Sequence, residues 1–153
     1  MTDTSFLKDL SEAWQQRGYS HAVPATREQI QSFEFKHNVK LPQDLRAYFE
    51  TLNGGDIGHE GSMDDEAISF WRLDQLEALD EMTVGRSNVF AFGDFLIDSH
   101  LYAIQLSSHA ADPTPVFIDW AGNVEQVASS FAEFVRGYVA KDRAILFGAR
   151  PAA

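Results

Sequence analysis

The sequence predicts an α+β fold: one compact domain over residues 1–153, with a central, mostly antiparallel or mixed sheet flanked by helices. Two observations in the pattern carry this. Helical spacing fills the N-terminal third, then short apolar runs separated by turn signals fill the middle, and a strong helical pattern returns after Ser130. Helices, then strands, then a closing helix fit an α+β layering better than alternating βαβ units. The third observation is size. A chain of 153 residues with 44% hydrophobic and 12% aromatic content supports one core, burying roughly 68–70% of the unfolded surface.

The first helix is expected over 5–17, where Phe6, Leu7, Leu10, Ala13 and Trp14 form an apolar stripe and Gly18 supplies a stop. Residues 19–25 read as a loop containing Pro24. Thr26 opens a second helix, and Gln29 completes a capping box. Its inward positions are Ile30, Phe33, Glu34 and His37, the last two polar. Asn38-Val39-Lys40 leads into a third helix, and the short link makes these two an antiparallel or angled pair. Pro42 suits its first turn, and Asp44 sits where the macrodipole favours a negative charge. Leu45, Tyr48, Phe49 and Leu52 follow at i, i+3, i+4 and i+7. Asn53-Gly54-Gly55 then tolerates positive φ and turns the chain.

Residues 56–66 form a Gly- and acid-rich loop. A strand is expected over 67–71 and a short helix over 73–79, with Leu73, Leu76 and Leu79 inward. A second strand over 88–92 runs toward Gly93-Asp94; Phe95-Leu96-Ile97 is apolar and Asp98-Ser99 a turn. Residues 100–106 resume as a strand, with Leu101 and Ala103 on one face and Tyr102, Ile104 and Leu106 on the other. After a polar loop over 107–115, residues 116–120 and 124–128 form a hairpin around Ala121-Gly122-Asn123. Ser130 and Glu133 make a second capping box, and Phe131, Phe134, Val135 and Tyr138 stripe a helix ending near Lys141. Residues 142–153 read as a tail, with Ile145-Leu146-Phe147 apolar enough to dock on the body.

Charge is unevenly placed. Between residues 56 and 81 lie Asp56, Glu60, Asp64, Asp65, Glu66, Asp74, Glu77, Asp80 and Glu81, against Arg72 alone, so this segment holds −8 of the net −11. Nucleic acid and anionic membrane, which need basic surface, are poor ligands for such a chain. A basic protein partner is allowed and would be steered in quickly. The plainer reading is a solvated face that keeps the protein soluble.

Motifs for chemistry are missing. The chain has no cysteine, which removes thiol catalysis and cysteine-ligated zinc. It lacks a P-loop and a Gly-x-Ser-x-Gly elbow. His59-Glu60 is followed by Met63 where a zinc helix needs histidine. A calcium loop from Asp56 fails at Gly58 and at Ala67; Asp64-Asp65-Glu66 is left as a weak cation candidate. His21, His37, His59, His100 and His109 have no ligand spacing and read as surface or locally bonded residues. Of the tryptophans, Trp71 and Trp120 end apolar strands and belong to the core, whereas Trp14 has no such assignment. No run is long enough to span a bilayer, and the start, Met1-Thr2-Asp3-Thr4-Ser5, has no signal-peptide character; a cytoplasmic protein is the expectation.

Four blocks resemble the SUKH superfamily, the Smi/Knr-like group that includes the yeast cell-wall-synthesis regulator. They are Ile30-x-x-Phe33-Glu34; Leu41-Pro42-x-Asp44-Leu45 through Asn53-Gly54-Gly55; the pair around Phe92-Gly93-Asp94 and Leu101-Tyr102-Ala103-Ile104; and Val116-Phe117, Gly122 and Ser130-Phe131-x-x-Phe134-Val135. The second block is the most specific, and together they cover 26–139. The resemblance implies an α+β domain without catalytic residues. Bacterial members are similar to immunity proteins that neutralise toxin domains, often nucleases; eukaryotic members look like regulatory or scaffold modules.

The resulting expectation is a non-catalytic protein-binding module, with no cofactor or metal. It would be an immunity protein whose acidic face occludes the active groove of a basic toxin domain. The candidate partner-binding residues are Asp56, Glu60, Asp64, Asp65 and Glu66. Leu41, Pro42, Asp44, Leu45, Asn53, Gly54 and Gly55 are fold determinants. A scaffold or regulatory domain without a toxin partner is the alternative, followed by an enzyme or small-ligand binder using the aromatic and acidic residues. The oligomeric state is left open by the sequence.

Overall fold

Short strands with both faces apolar need cover on both sides, and the computed structural model, which describes residues 4–56, 63–96, 99–109 and 114–148, provides it. The helices are α1 (Ser5–Gln16), α2 (Arg27–His37), α3 (Gln43–Thr51), α4 (Glu81–Val84), α5 (Phe131–Val139) and α6 (Arg143–Phe147). The strands are β1 (Ile68–Phe70), β2 (Glu77–Ala78), β3 (Val89–Phe95), β4 (His100–Gln105), β5 (Val116–Trp120) and β6 (Asn123–Ala128). They form one sheet in the order β1-β3-β4-β5-β6, with β2 also pairing β3, and every pairing is antiparallel.

One face carries Phe90, Phe92, Tyr102, Ile104, Val116 and Ile118 into the main core, where α1, α2, α3, α5 and α6 cover them. Aromatic edges meet aromatic faces here: Phe92 lies 5.4 Å from Phe131 and 5.3 Å from Phe134, both T-shaped. The other face carries Val89 and Ala103 against Val84, with Leu79 and Val124 packed beside them. On that side the Arg86 guanidinium lies 4.8 Å from the centroid of the Phe117 ring.

The helices expected over 5–17, after Thr26, after Pro42 and after Ser130 hold. The Thr26–Gln29 capping box is present in both directions. At Ser130 only half of the box forms: Glu133 N–H donates to the Ser130 hydroxyl, but the Glu133 carboxylate turns back to the N–H and hydroxyl of Ser129. The hairpin turns through Ala121 and Gly122, both at positive φ (54° and 86°), as a tight turn between twisted strands requires.

Other expectations need correction. The helix expected over 73–79 is a single 3-10 turn, Leu73–Gln75, followed by β2. The chain extends there because β3 offers a free edge opposite Ala91 and Phe90, which Glu77 and Ala78 fill. β3 continues through Gly93 and Asp94 to Phe95, with a bulge between Ala91 and Gly93 that keeps it in register with β4. Residues 142–148 are no simple tail. The Asp142 carboxylate caps α6 by accepting from Ala144 N–H, and Leu146 is buried. His100 is fully buried, with Nε2 3.1 Å from the Tyr102 hydroxyl and its ring stacked on Phe95. Trp14 lies in the core beside Tyr19, Tyr48 and Phe70, whereas Trp120 is only half-buried. The turn expected at Asp98-Ser99 falls partly outside the described residues, as do Ile97, His59 and the last five residues.

The polar residues of the helical blocks join elements. Glu34 is buried and accepts from Leu41 N–H at 2.8 Å and from Arg46 at 2.6 Å, fixing α2 on α3. Asp44 accepts from Leu45 N–H at its own helix start and from Ala132 N–H at the start of α5. One carboxylate thus serves two helix N-termini, where negative charge is favoured. Asn53 donates to the Val23 carbonyl and accepts from Leu73 N–H. Asn53 and Gly54 take positive φ, 59° and 69°. Gly55 needs space instead: a Cβ there would lie 2.3 Å from the Tyr19 hydroxyl.

Gly18 and Gly54 have the same φ, 69°, but different surroundings. A Cβ on Gly18 meets nothing within 4 Å, whereas one on Gly54 would lie 2.5 Å from the Trp71 carbonyl oxygen. We predict that Gly18→Ala costs about 1 kcal/mol in urea unfolding, the left-handed penalty alone. Gly54→Ala costs at least about 3 kcal/mol, because backbone must also move. Equal losses would show that the close approach to Trp71 is unimportant.

Candidate partner-binding face

A three-residue edge strand leaves its outward backbone groups to be satisfied by something else. In β1 these belong to Ile68 and Phe70. Gly55 N–H donates to the Phe70 carbonyl at 2.9 Å, and the Tyr19 hydroxyl accepts from Phe70 N–H at 2.9 Å. At the other end Asp64 N–H donates to the Ile68 carbonyl at 2.8 Å, and the Asp64 carboxylate accepts from Ile68 N–H at 3.0 Å. Both ends of the acid-rich loop are therefore fastened to one edge, at positions two residues apart on the strand, roughly 7 Å.

This places the expected site residues. Asp56, next to Gly55, is exposed, and so are Asp65 and Glu66, next to Asp64. The three carboxylates are brought to the same edge of β1. Glu60 lies outside the described residues. Asp64 departs from the expected acidic face: it is 6% exposed and turned inward. Its carboxylate accepts from the amides of Glu66 and Ile68 and from the Tyr138 hydroxyl of α5. Burial of a carboxylate requires such donors, so Asp64 holds the face rather than forming part of its surface.

Tyr138 is held in turn. Its ring is T-shaped on Phe70 at 4.9 Å, and Arg17 lies 4.5 Å over it. Arg17 also donates to the carbonyls of Tyr138 and Val139, the C-terminal end of α5. Burial, and then the charge of Asp64, push the Tyr138 phenol well above its usual 10.0. The phenol therefore stays protonated in the folded state. Its contribution to stability is full below pH 10 and is lost as the pH rises beyond that.

Two cations sit on the face. Lys141 pairs with Glu66 at 3.0 Å. Arg72 pairs with Asp74 at 3.1 Å and donates to the Asp56 carbonyl at 3.2 Å. Such exposed pairs are worth little energy, but they orient the carboxylates around them. Among the described residues no group of three His, Asp or Glu side chains could hold a metal ion, and no helix is long and apolar enough to cross a membrane. A groove of about 540 Å³ between α1 and α3 is open and lined by Leu7, Lys8, Glu12, Ala47 and Thr51. Lys8 and Glu12 are helical i, i+4 neighbours there, an ordinary surface pairing.

Tyr19 and Tyr138 support this face without a local signal in the sequence that marks them as doing so. Tyr138 read only as one position in an apolar stripe, and nothing local to Tyr19 signals a bond to a strand some fifty residues away.

The model of the SMI1/KNR4 family (SUKH-1) matches residues 24–137. That span covers most of the chain, from the segment before α2 into α5, and includes all six strands. The chain belongs to this family. No curated protein matches the chain.

Tyr138→Phe keeps the ring and removes the donor to Asp64. We expect a loss of about 2 kcal/mol in urea unfolding, the cost of an unmet hydrogen bond to a buried charge. A loss below about 0.5 kcal/mol would mean that Tyr138 does not support Asp64.

Proposed function

We propose that this member of the SMI1/KNR4 family is a non-catalytic protein-binding module of the immunity type, working in the cytoplasm and neutralising a cognate toxin domain. The observation that carries this reading is the fastened acidic edge: Asp56, Asp65 and Glu66 exposed on a backbone that β1, Tyr19 and Asp64 hold in place. A nuclease groove must be basic to hold a polyanion. An acidic edge of fixed shape fits over such a groove and excludes the substrate, with no bond made or broken. Long-range attraction from the −8 segment raises the association rate, while close packing supplies most of the affinity. The same surface would serve a regulatory module equally well, so the partner's identity decides between the two.

The test is recovery of partners by the tagged protein from its native cells, at low and moderate salt, beside a variant carrying Asp56→Lys, Asp65→Lys and Glu66→Lys. Asp64 is left intact because its role is structural. The expected result is one toxin-domain polypeptide, retained less as salt rises and reduced at least about tenfold by the triple reversal. Recovery of a housekeeping regulator, insensitive to the reversal, would contradict both the immunity reading and the face.

A further inference from the structure

An acidic edge speeds encounter but needs an apolar anchor for affinity. Beside this edge runs the segment from Ser20 to Ala25, and four backbone positions in it are tied down. Asp56 N–H donates to the Ser20 carbonyl, Ala22 N–H to the Gly54 carbonyl, and Ala25 N–H to the Phe49 carbonyl. Asn53 Nδ2 donates to the Val23 carbonyl at 2.9 Å. His21 and Gly55 form an antiparallel bridge. Ala22 and Ala25 are buried, so the segment lies flat on the body. Between them Val23 is 84% exposed and is followed by exposed Pro24.

A single exposed valine is ordinary. This one sits on a rigid backbone: proline fixes its own φ, and the Asn53 side chain that holds Val23 also accepts from Leu73 N–H. That second bond sets Val23 beside the 3-10 turn bearing Asp74, while Asp56 is tied to the start of the same segment. The result is an exposed apolar residue on a backbone tied to the segments that carry Asp56 and Asp74, with Arg72 bonded to the Asp74 carboxylate and the Asp56 carbonyl. Because its backbone is already ordered, docking it costs little further entropy. Phe35 and Met82 are as exposed, at 91% and 90%, but lie on α2 and α4, with no described bond to the acidic edge, whereas Met63 and Leu96 adjoin that edge but are only 42% and 51% exposed.

We propose that Val23-Pro24 is the apolar anchor of the partner-binding face, and that it fits a protein surface with a shallow apolar depression rimmed by Lys and Arg. This rests on the reading of the acidic edge as that face. It also gives the Asn53-Gly54-Gly55 stop a second task, since Asn53 and Gly54 hold the anchor's backbone.

The probe is a capped hexapeptide, Lys-Arg-Leu-Leu-Arg-Lys, titrated into the labelled protein and followed by amide NMR. Its Ala-Ala analogue and an acidic analogue, Glu-Asp-Leu-Leu-Asp-Glu, are the controls. The expected result is movement of the amides of Ala22, Val23, Asp56 and Asp74. The Leu peptide should bind about five- to tenfold more tightly than the Ala analogue, and the acidic one should not bind. Val23→Ser, at an exposed position that leaves the fold intact, should abolish that preference, and Val23→Leu should keep it. If the Leu and Ala peptides bind Asp56 and Asp65 equally and Val23→Ser changes nothing, the anchor is overturned while the acidic face stands. Shifts centred on Phe35 would also overturn it. If no basic peptide moves any of these amides, both the anchor and the acidic face fall.

Discussion

The outer edge of β1 is the constraint on which the candidate face depends. β1 is only three residues long and pairs with β3 on one side. Its other side must find partners for Ile68 and Phe70, because buried backbone groups without partners are costly. Gly55 and Asp64, on either side of the acid-rich loop, supply three of them, and the Tyr19 hydroxyl supplies the partner of Phe70 N–H. Gly54 and Gly55 can approach because neither carries a Cβ; one would collide with the Trp71 backbone and the other with Tyr19. The requirement for small residues at the end of α3 and the position of the acidic residues therefore have one cause.

Buried polar side chains do the long-range joining. Glu34 links α2 to α3, Asp44 links α3 to α5, Asn53 links the Val23 segment to the 3-10 turn, and Asp64 links the β1 edge to α5. Each is a carboxylate or amide whose atoms meet donors or acceptors from a second element. A buried charge is a poor source of net stability, but it is sensitive to geometry. A displaced element would strand it, so each of these residues favours one arrangement of the helices over its neighbours. The aromatic core supplies bulk burial, and apolar cores in general accept substitution as long as volume and pattern are kept.

Much of the fold was legible in the sequence because its signals are local. The stripes of α1, α3 and α5, the Thr26–Gln29 box, the Ala121-Gly122 turn and the alternation of β4 each act within a few residues. The 3-10 turn and β2 were not legible, since whether residues 77–78 extend depends on an edge that β3 offers from elsewhere in the chain. α4 and α6 are too short to show periodicity. The candidate site was legible as composition only. Charge counting found Asp56, Asp65 and Glu66 but could not separate them from Asp64, whose burial comes from Tyr138, 74 residues away. Glu34 shows the same limit: it read as a polar break in a stripe and is a buried cross-link.

The β1 edge and the two chain segments closing it are expected to open as one cooperative unit. Native-state amide hydrogen exchange tests this most directly, at Gly55, Asp64 and Ile68 on the outer edge and at Trp71, which donates to Phe92 on the inner side. In such a unit all four amides open together, with opening free energies within about 1 kcal/mol of one another. Rapid exchange at Gly55, Asp64 and Ile68 while Trp71 stays protected would contradict it, and would make the acidic edge a separate, loosely held segment.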